Sequence, residues 1–142
     1  MKKLTSIVLA GMLTLPIISS ANEKAKNLMV VVTTQDSVTQ LMAGVIALQS
    51  KKQGANVQML YCGKAGDLVI KGSNEVILKP KSKSPQMLIK RLIKKGATVE
   101  ICPPYLPNAG KTKVDLIKGV KVAKPPKIAA TILDKDTKIL SY

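Results

Sequence analysis

The chain has 142 residues, 23 basic against 8 acidic, and carries two cysteines and three tyrosines but no histidine, phenylalanine or tryptophan. Without histidine the commonest general base and transition-metal ligand are missing, which excludes Ser-His-Asp and Cys-His hydrolases. Two cysteines alone cannot close a zinc site in one chain, so thiol chemistry or binding remains.

Lys2 and Lys3 open a leader whose residues 4–18 are mostly apolar, and Ser19-Ser20-Ala21 supplies small residues for a cut between Ala21 and Asn22. This is the pattern of a secretory signal peptide, residues 1–21, and an apolar run of about fifteen is short for a membrane span of roughly twenty. Export to the periplasm is therefore expected, with no stable membrane insertion after cleavage. Residues 22–142 then form a single domain whose charge, without the two leader lysines, falls from +15 to +13. Such a charge attracts anions and acidic partners. Nucleic acid is not expected as a partner, because three tyrosines offer bases almost nothing to stack on.

Within the domain, strand and helix patterns alternate. Leu28 to Val32 is a continuous apolar run, as in a parallel strand covered on both faces. Asp36 or Ser37 caps a helix in which Val38, Leu41, Met42, Val45, Ile46 and Leu48 follow 3.6-residue spacing, and Gly54 stops it. Val57 to Cys62 reads as a second strand. Between 64 and 83 a helical turn near Asp67 to Ile70 and an extended Val76 to Lys79 are expected. Ser84-Pro85 supplies N-cap and first residue of a helix that buries Leu88, Ile89, Leu92 and Ile93, and Thr98 to Cys102 is a third strand. Thr112 caps a short helix with Val114 and Ile117 facing inward. A brief strand at Val120 to Val122, a helix from Pro125-Pro126 and a strand at Thr137 to Leu140 complete the chain.

This order predicts an α/β fold in three α/β/α layers around about five mostly parallel strands. In such sheets ligands sit beyond the carboxyl ends of the strands, where both Cys62 and Cys102 fall. The segment after the third strand, Cys102-Pro103-Pro104-Tyr105, is a C-x-x-C without its second cysteine. Gly110-Lys111-Thr112 is the end of a phosphate loop without its beginning, with Pro107 where an N–H donor is needed. Neither a self-contained dithiol nor a nucleotide site is expected. Three readings of Cys102 stay open: a reactive thiolate favoured by the dipole at Thr112 and by Lys111 and Lys113, an inert buried thiol, or a Cys62–Cys102 disulfide in an oxidising compartment.

The arrangement resembles the DsrE/DsrF-like (sulfur-relay) family in an exported form. The resemblance runs from about Asn27 to Tyr142, carried by "NLMVVVTTQDSVTQLMAGVIALQSKKQGANVQMLYCG", "SPQMLIKRLIKKGATVEICPPYLPNAG" and "VDLIKGVKVAKPPKIAATILDKDTKILSY". It implies a homotrimer or homohexamer and a persulfide-accepting cysteine at Cys102; with no second cysteine in the loop, the resolving or disulfide partner in this chain would be Cys62. Where exported relatives continue C-P-P-C this chain has Tyr105, and where an arginine commonly precedes the loop glycine it has Ala109.

The expected function is a periplasmic carrier of sulfane sulfur on Cys102, without turnover of its own, whose partner is a reduced-sulfur species or a thiol protein. It requires neither cofactor nor metal. The alternative is a non-catalytic binding or assembly module with Cys62 and Cys102 bridged or buried. A small-molecule site at the strand ends would be lined by Thr34, Gln35, Tyr61 and Tyr105, with Gly110 and Lys111 from the loop, although the same residues serve equally as packing.

Overall fold

The computed structural model describes residues 26–142; the leader and the cut after Ala21 lie outside the described residues. Five strands form one sheet: β1 (Asn27–Val32), β2 (Asn56–Tyr61), β3 (Thr98–Ile101), β4 (Val120–Val122) and β5 (Thr137–Ser141). Their order across the sheet is β4-β3-β2-β1-β5, and every neighbouring pair is parallel. Parallel neighbours need crossovers, and the helices supply them. These are α1 (Ser37–Lys52), α2 (Pro85–Lys94), the short α3 (Tyr105–Asn108) and α4 (Pro125–Leu133), with 3₁₀ turns at Gly63–Val69 and Lys113–Asp115.

Alternation along β1 divides the interior. Leu28, Val30 and Val32 join the main core with α1 and α2, whereas Met29 and Val31 point to the other face. That second face is thinly covered. Its buried members are Met29, Leu60 and Ala123, with Ile128 of α4 packed on them, and α4 itself has no buried residue.

Capping follows the sequence closely. The Asp36 carboxylate accepts the Thr39 N–H at 2.7 Å, and the Ser84 hydroxyl accepts the Met87 N–H at 3.0 Å ahead of Pro85. Burial of α2 is as expected for Leu88, Ile89 and Leu92, with Ile93 half-buried.

The facing of α1 is different. Its buried side is Gln40, Ala43, Gly44, Ala47 and Leu48, while Val38, Met42 and Ile46 point outward at 63%, 52% and 37% exposure. The reason is distance. A Cβ on Gly44 would lie 3.1 Å from Leu88, so only small residues let α1 sit this close to α2.

Three further expectations are corrected. Val76 to Lys79 forms no strand, only an isolated bridge from Leu78 to Lys83. Thr112 caps a single 3₁₀ turn, and Val114 is 75% exposed while Leu116 is the residue that turns inward. Tyr105 to Asn108, expected as loop, is helical.

Enlarging the inner side of α1 with Ala47→Leu should lower unfolding free energy by about 1–3 kcal/mol. Val38→Ser on its outer side should change it by no more than about 0.5 kcal/mol. Urea denaturation of both variants checks the assigned facing.

Candidate functional site

In the parallel register of β2 and β3, Tyr61 lies opposite Ile101, so the next residue of each strand is a cysteine. The ladder continues through them, with Cys62 N–H donating to Val32 O at 3.0 Å and Cys102 N–H to Tyr61 O at 2.9 Å. Their Cα atoms are 5.1 Å apart, within disulfide reach, and Cys62 and Cys102 are bridged. No described cysteine is free. Of the three readings of Cys102, the structure therefore gives the disulfide. Both residues are half-buried against the thin second core.

The bridge lies on the wall of an open, largely apolar cleft of about 570 Å³, bounded by Gly63, Lys64, Asp67, Pro104, Tyr105 and Asn108. Lys64 is the ammonium in this cleft; Lys111 and Lys113 are not part of it. Nor does a helix dipole reach it from Thr112, since the turn there is only three residues long.

Tyr105, in place of a second cysteine, builds the far side. Its hydroxyl donates to the Asp67 carboxylate, and its ring lies against Gly66, where an added methyl would overlap it. Burial and the Asp67 carboxylate beside it push the Tyr105 phenol above the usual phenol range.

Beyond this tyrosine lies a second cavity of about 540 Å³, reaching the start of α1 at Gln35 and of α2 at Gln86. Lys64, Asp67 and Tyr105 belong to both cavities.

The residues expected to line a small-molecule site are thus partly gathered. Gln35, Tyr105 and Lys111 line the second cavity. Thr34 instead holds the approach to α1: its hydroxyl accepts Asp36 N–H at 3.1 Å and its carbonyl accepts the Gln40 amide at 2.7 Å. Tyr61 lines neither cavity. It is 2% exposed in the main core, and burial raises its phenol pKa.

Gly110, Lys111 and Thr112 form a turn. The Lys111 N–H donates to Leu106 O at 2.8 Å and the Thr112 N–H to the Asp115 carboxylate at 2.7 Å, so these donors are spent within the chain. Those bonds to Thr112 hold the Asp115 pKa below its ordinary value.

Sequence reasoning missed Asp67, Lys64, Lys71 and Gln86. The available signal was position: Lys64 and Asp67 follow Cys62 directly, on the functional edge of the sheet, and Gln86 is in the first turn of a helix ending there.

The architecture is the DsrE-like α/β fold. It is shared with the YchN protein of E. coli at TM-score 0.67 and 17% identity, covering 82% of this chain and 98% of that one. The protein of unknown function MTH1491 from Methanobacterium thermoautotrophicum gives 0.62 and 14%, over 82% and 98%. The conserved protein of unknown function BT1422 from Bacteroides thetaiotaomicron gives 0.64 and 23%, over 82% and 95%. At these identities the likeness is one of fold. No family model and no curated protein matches the sequence.

The raised phenols have a definite pH consequence. Both favour the protonated form in the folded state, so their contribution to stability is complete below the ordinary phenol pKa. It is lost as pH rises through the folded values. Asp67→Asn removes the carboxylate and should bring Tyr105 ionisation to lower pH than in the wild type, with Tyr61 unchanged. Phenolate absorbance in an alkaline titration measures both.

Proposed function

We propose that the Cys62–Cys102 pair is the working centre of a periplasmic sulfane-sulfur carrier. One observation carries the reading: the two thiols meet on the wall of an apolar cleft, half-buried, instead of inside the core. A buried structural bridge needs no cavity; a thiolate that must be reached by a sulfur donor does.

In the reduced pair, the Cys102 thiolate attacks the outer sulfur of a donor such as thiosulfate or a persulfide. A new S–S bond forms on Cys102, the donor's S–S bond breaks, and sulfite or a thiolate leaves. The bound sulfur then passes to an acceptor thiolate by the same exchange. If no acceptor arrives, the Cys62 thiolate attacks the Cys102 sulfur, closing the bridge and expelling hydrosulfide. An external dithiol must then return two electrons to reopen it. The bridged form is the resting state between loads, and Lys64 in the cleft favours both the thiolate and an anionic donor.

Export, a reduced-sulfur or thiol-protein partner, and assembly as a trimer or hexamer belong to the same reading. The outward Val38, Met42 and Ile46 of α1 support the assembly.

The second reading is a binding or assembly module stapled by the disulfide, favoured by the closed bridge itself. Opening a loop across a sequence separation of 40 would then cost about 4 kcal/mol on the chain-entropy model.

The two readings separate on reduced protein treated with thiosulfate or polysulfide and analysed by intact mass. On the carrier reading Cys62→Ser gains the mass of one sulfur atom and Cys102→Ser gains none, while the wild type, with no acceptor present, releases hydrosulfide and ends two hydrogens lighter as the closed bridge. Absence of added sulfur in Cys62→Ser and of released hydrosulfide from the wild type, with both variants destabilised alike, would leave only the staple.

A further inference from the structure

The cavity on the far side of Tyr105 is not used by the sulfur chemistry, and its lining has a distinct character. Three ammonium groups, Lys64, Lys71 and Lys111, face one carboxylate, Asp67. Lys71 also donates to Val114 O at 2.6 Å. Neither Lys64 nor Lys111 is in an ion pair: the ion pairs found among the described residues join Lys26 and Lys135 to Asp136. Asp67 in the lining and Asp115, which feels Lys71 and Lys111, offset part of this charge. The lining keeps an excess of positive charge, with no salt bridge to Lys64 or Lys111.

Two helices begin on the same cavity. Ser37, first residue of the sixteen-residue α1, and Pro85 and Gln86, opening the ten-residue α2, all line it. Their first turns add partial positive charge, tempered at α1 by the Asp36 carboxylate that caps it, while Ser84 caps α2.

A separate observation specifies more than charge. Gln86 is 4% exposed; its amide nitrogen donates to Asn74 O at 2.7 Å, but its Oε1 has no partner. A buried acceptor without a donor costs free energy comparable to a lost hydrogen bond, so such atoms are normally completed by something. The atom is screened from bulk water. Gln86 lines this cavity and a smaller one beside it, so a donor held there is within its reach.

We infer that this cavity is a binding site for a small anion that also carries an O–H or N–H donor, its negative oxygens toward Lys64 and Lys111 and its donor toward Gln86. A monoprotonated phosphoryl group has this chemistry, and so does a hydroxy- or amino-carboxylate. A volume of about 540 Å³ suits a metabolite of that size and is too small for a macromolecule. The site shares Lys64 with the sulfur reading but needs neither cysteine, and it holds its charge whether the bridge is open or closed.

Matched pairs of anions test it. Hydrogen phosphate carries a donor and sulfate does not; lactate carries one and propionate does not. Binding of each to the full chain is followed by calorimetry and by amide shifts of the residues opening α1 and α2.

In at least one pair the donor-bearing anion should bind about tenfold more tightly, the effect of one well-made hydrogen bond. Whichever pair discriminates identifies the head group as phosphoryl or carboxylate. The exposed double substitution Lys64→Gln, Lys111→Gln should weaken both members of that pair. Gln86→Met, close in volume, should abolish the discrimination while sparing the donor-free anion. Equal binding within both pairs, or shifts spread over all the surface lysines, would overturn the inference. Because the Lys64/Lys111 arm changes only exposed side chains, it remains decisive if Gln86→Met does not fold.

Discussion

The register between β2 and β3 governs the functional edge of this protein. With Tyr61 opposite Ile101, Cys62 and Cys102 are paired by the sheet before any loop is considered. The segments that leave the two strands then diverge and return toward each other. Asp67 lies in the turn after Cys62, Tyr105 in the turn after Cys102, and their hydrogen bond closes the gap between them. A slip of one residue would send both cysteines to opposite faces and separate Asp67 from Tyr105. The cleft, the bridge and the wall between the two cavities therefore all rest on one backbone alignment.

The alignment also explains what was legible in the sequence. β1 announced itself by its apolar run, β2, β3 and β4 by apolar residues beside Gly54, Gly96 and Gly119, and Ser84-Pro85 and Asp36 marked helix starts by chemistry that acts within four residues. The placement of both thiols at strand ends followed from those elements. That β2 and β3 are neighbours did not, because strand order is set by crossovers and packing over dozens of residues.

The facing of α1 was hidden for a related reason. Hydrophobic spacing favoured Val38, Leu41, Met42, Val45, Ile46 and Leu48. Leu41, Val45 and Leu48 do pack on the core, but Ala43, Gly44 and Ala47 take the close approach to α2 and Val38, Met42 and Ile46 are left outside. Sequence periodicity measures hydrophobicity and says nothing of available space. The second cavity was harder still, since Asp67, Lys71 and Gln86 come from separate segments and none belongs to a motif.

The charge of the chain is distributed in the same two-sided way. Most lysines are exposed and well solvated, and the ion pairs found among the described residues converge on Asp136, at the opposite end of the sheet from the cysteines. Exposed pairs of this sort contribute little and are screened by salt. The lysines that matter are those whose neighbours reduce screening, at the two cavities. Tyr105 sets the character of this edge as well. The ring and its bond to Asp67 turn what would be one continuous groove into an apolar compartment and a charged one.

Tyr142 gives the last strand an unexpected part in this arrangement. Its carbonyl accepts the Thr33 N–H at 2.7 Å, the Thr33 hydroxyl at 2.8 Å and the Thr34 N–H at 3.3 Å. Thr34 in turn holds Gln40, which lines the charged cavity. Yet β5 pairs only with β1, and neither it nor α4 has a fully buried residue, so this edge has little buried apolar contact to lose in a local opening. Peeling of β5 would release the threonine pair and, through Gln40, slacken the entrance turn of α1. The edge strand is thus tied to the cavity by a short chain of hydrogen bonds, from the Tyr142 carbonyl through Thr33 and Thr34 to Gln40.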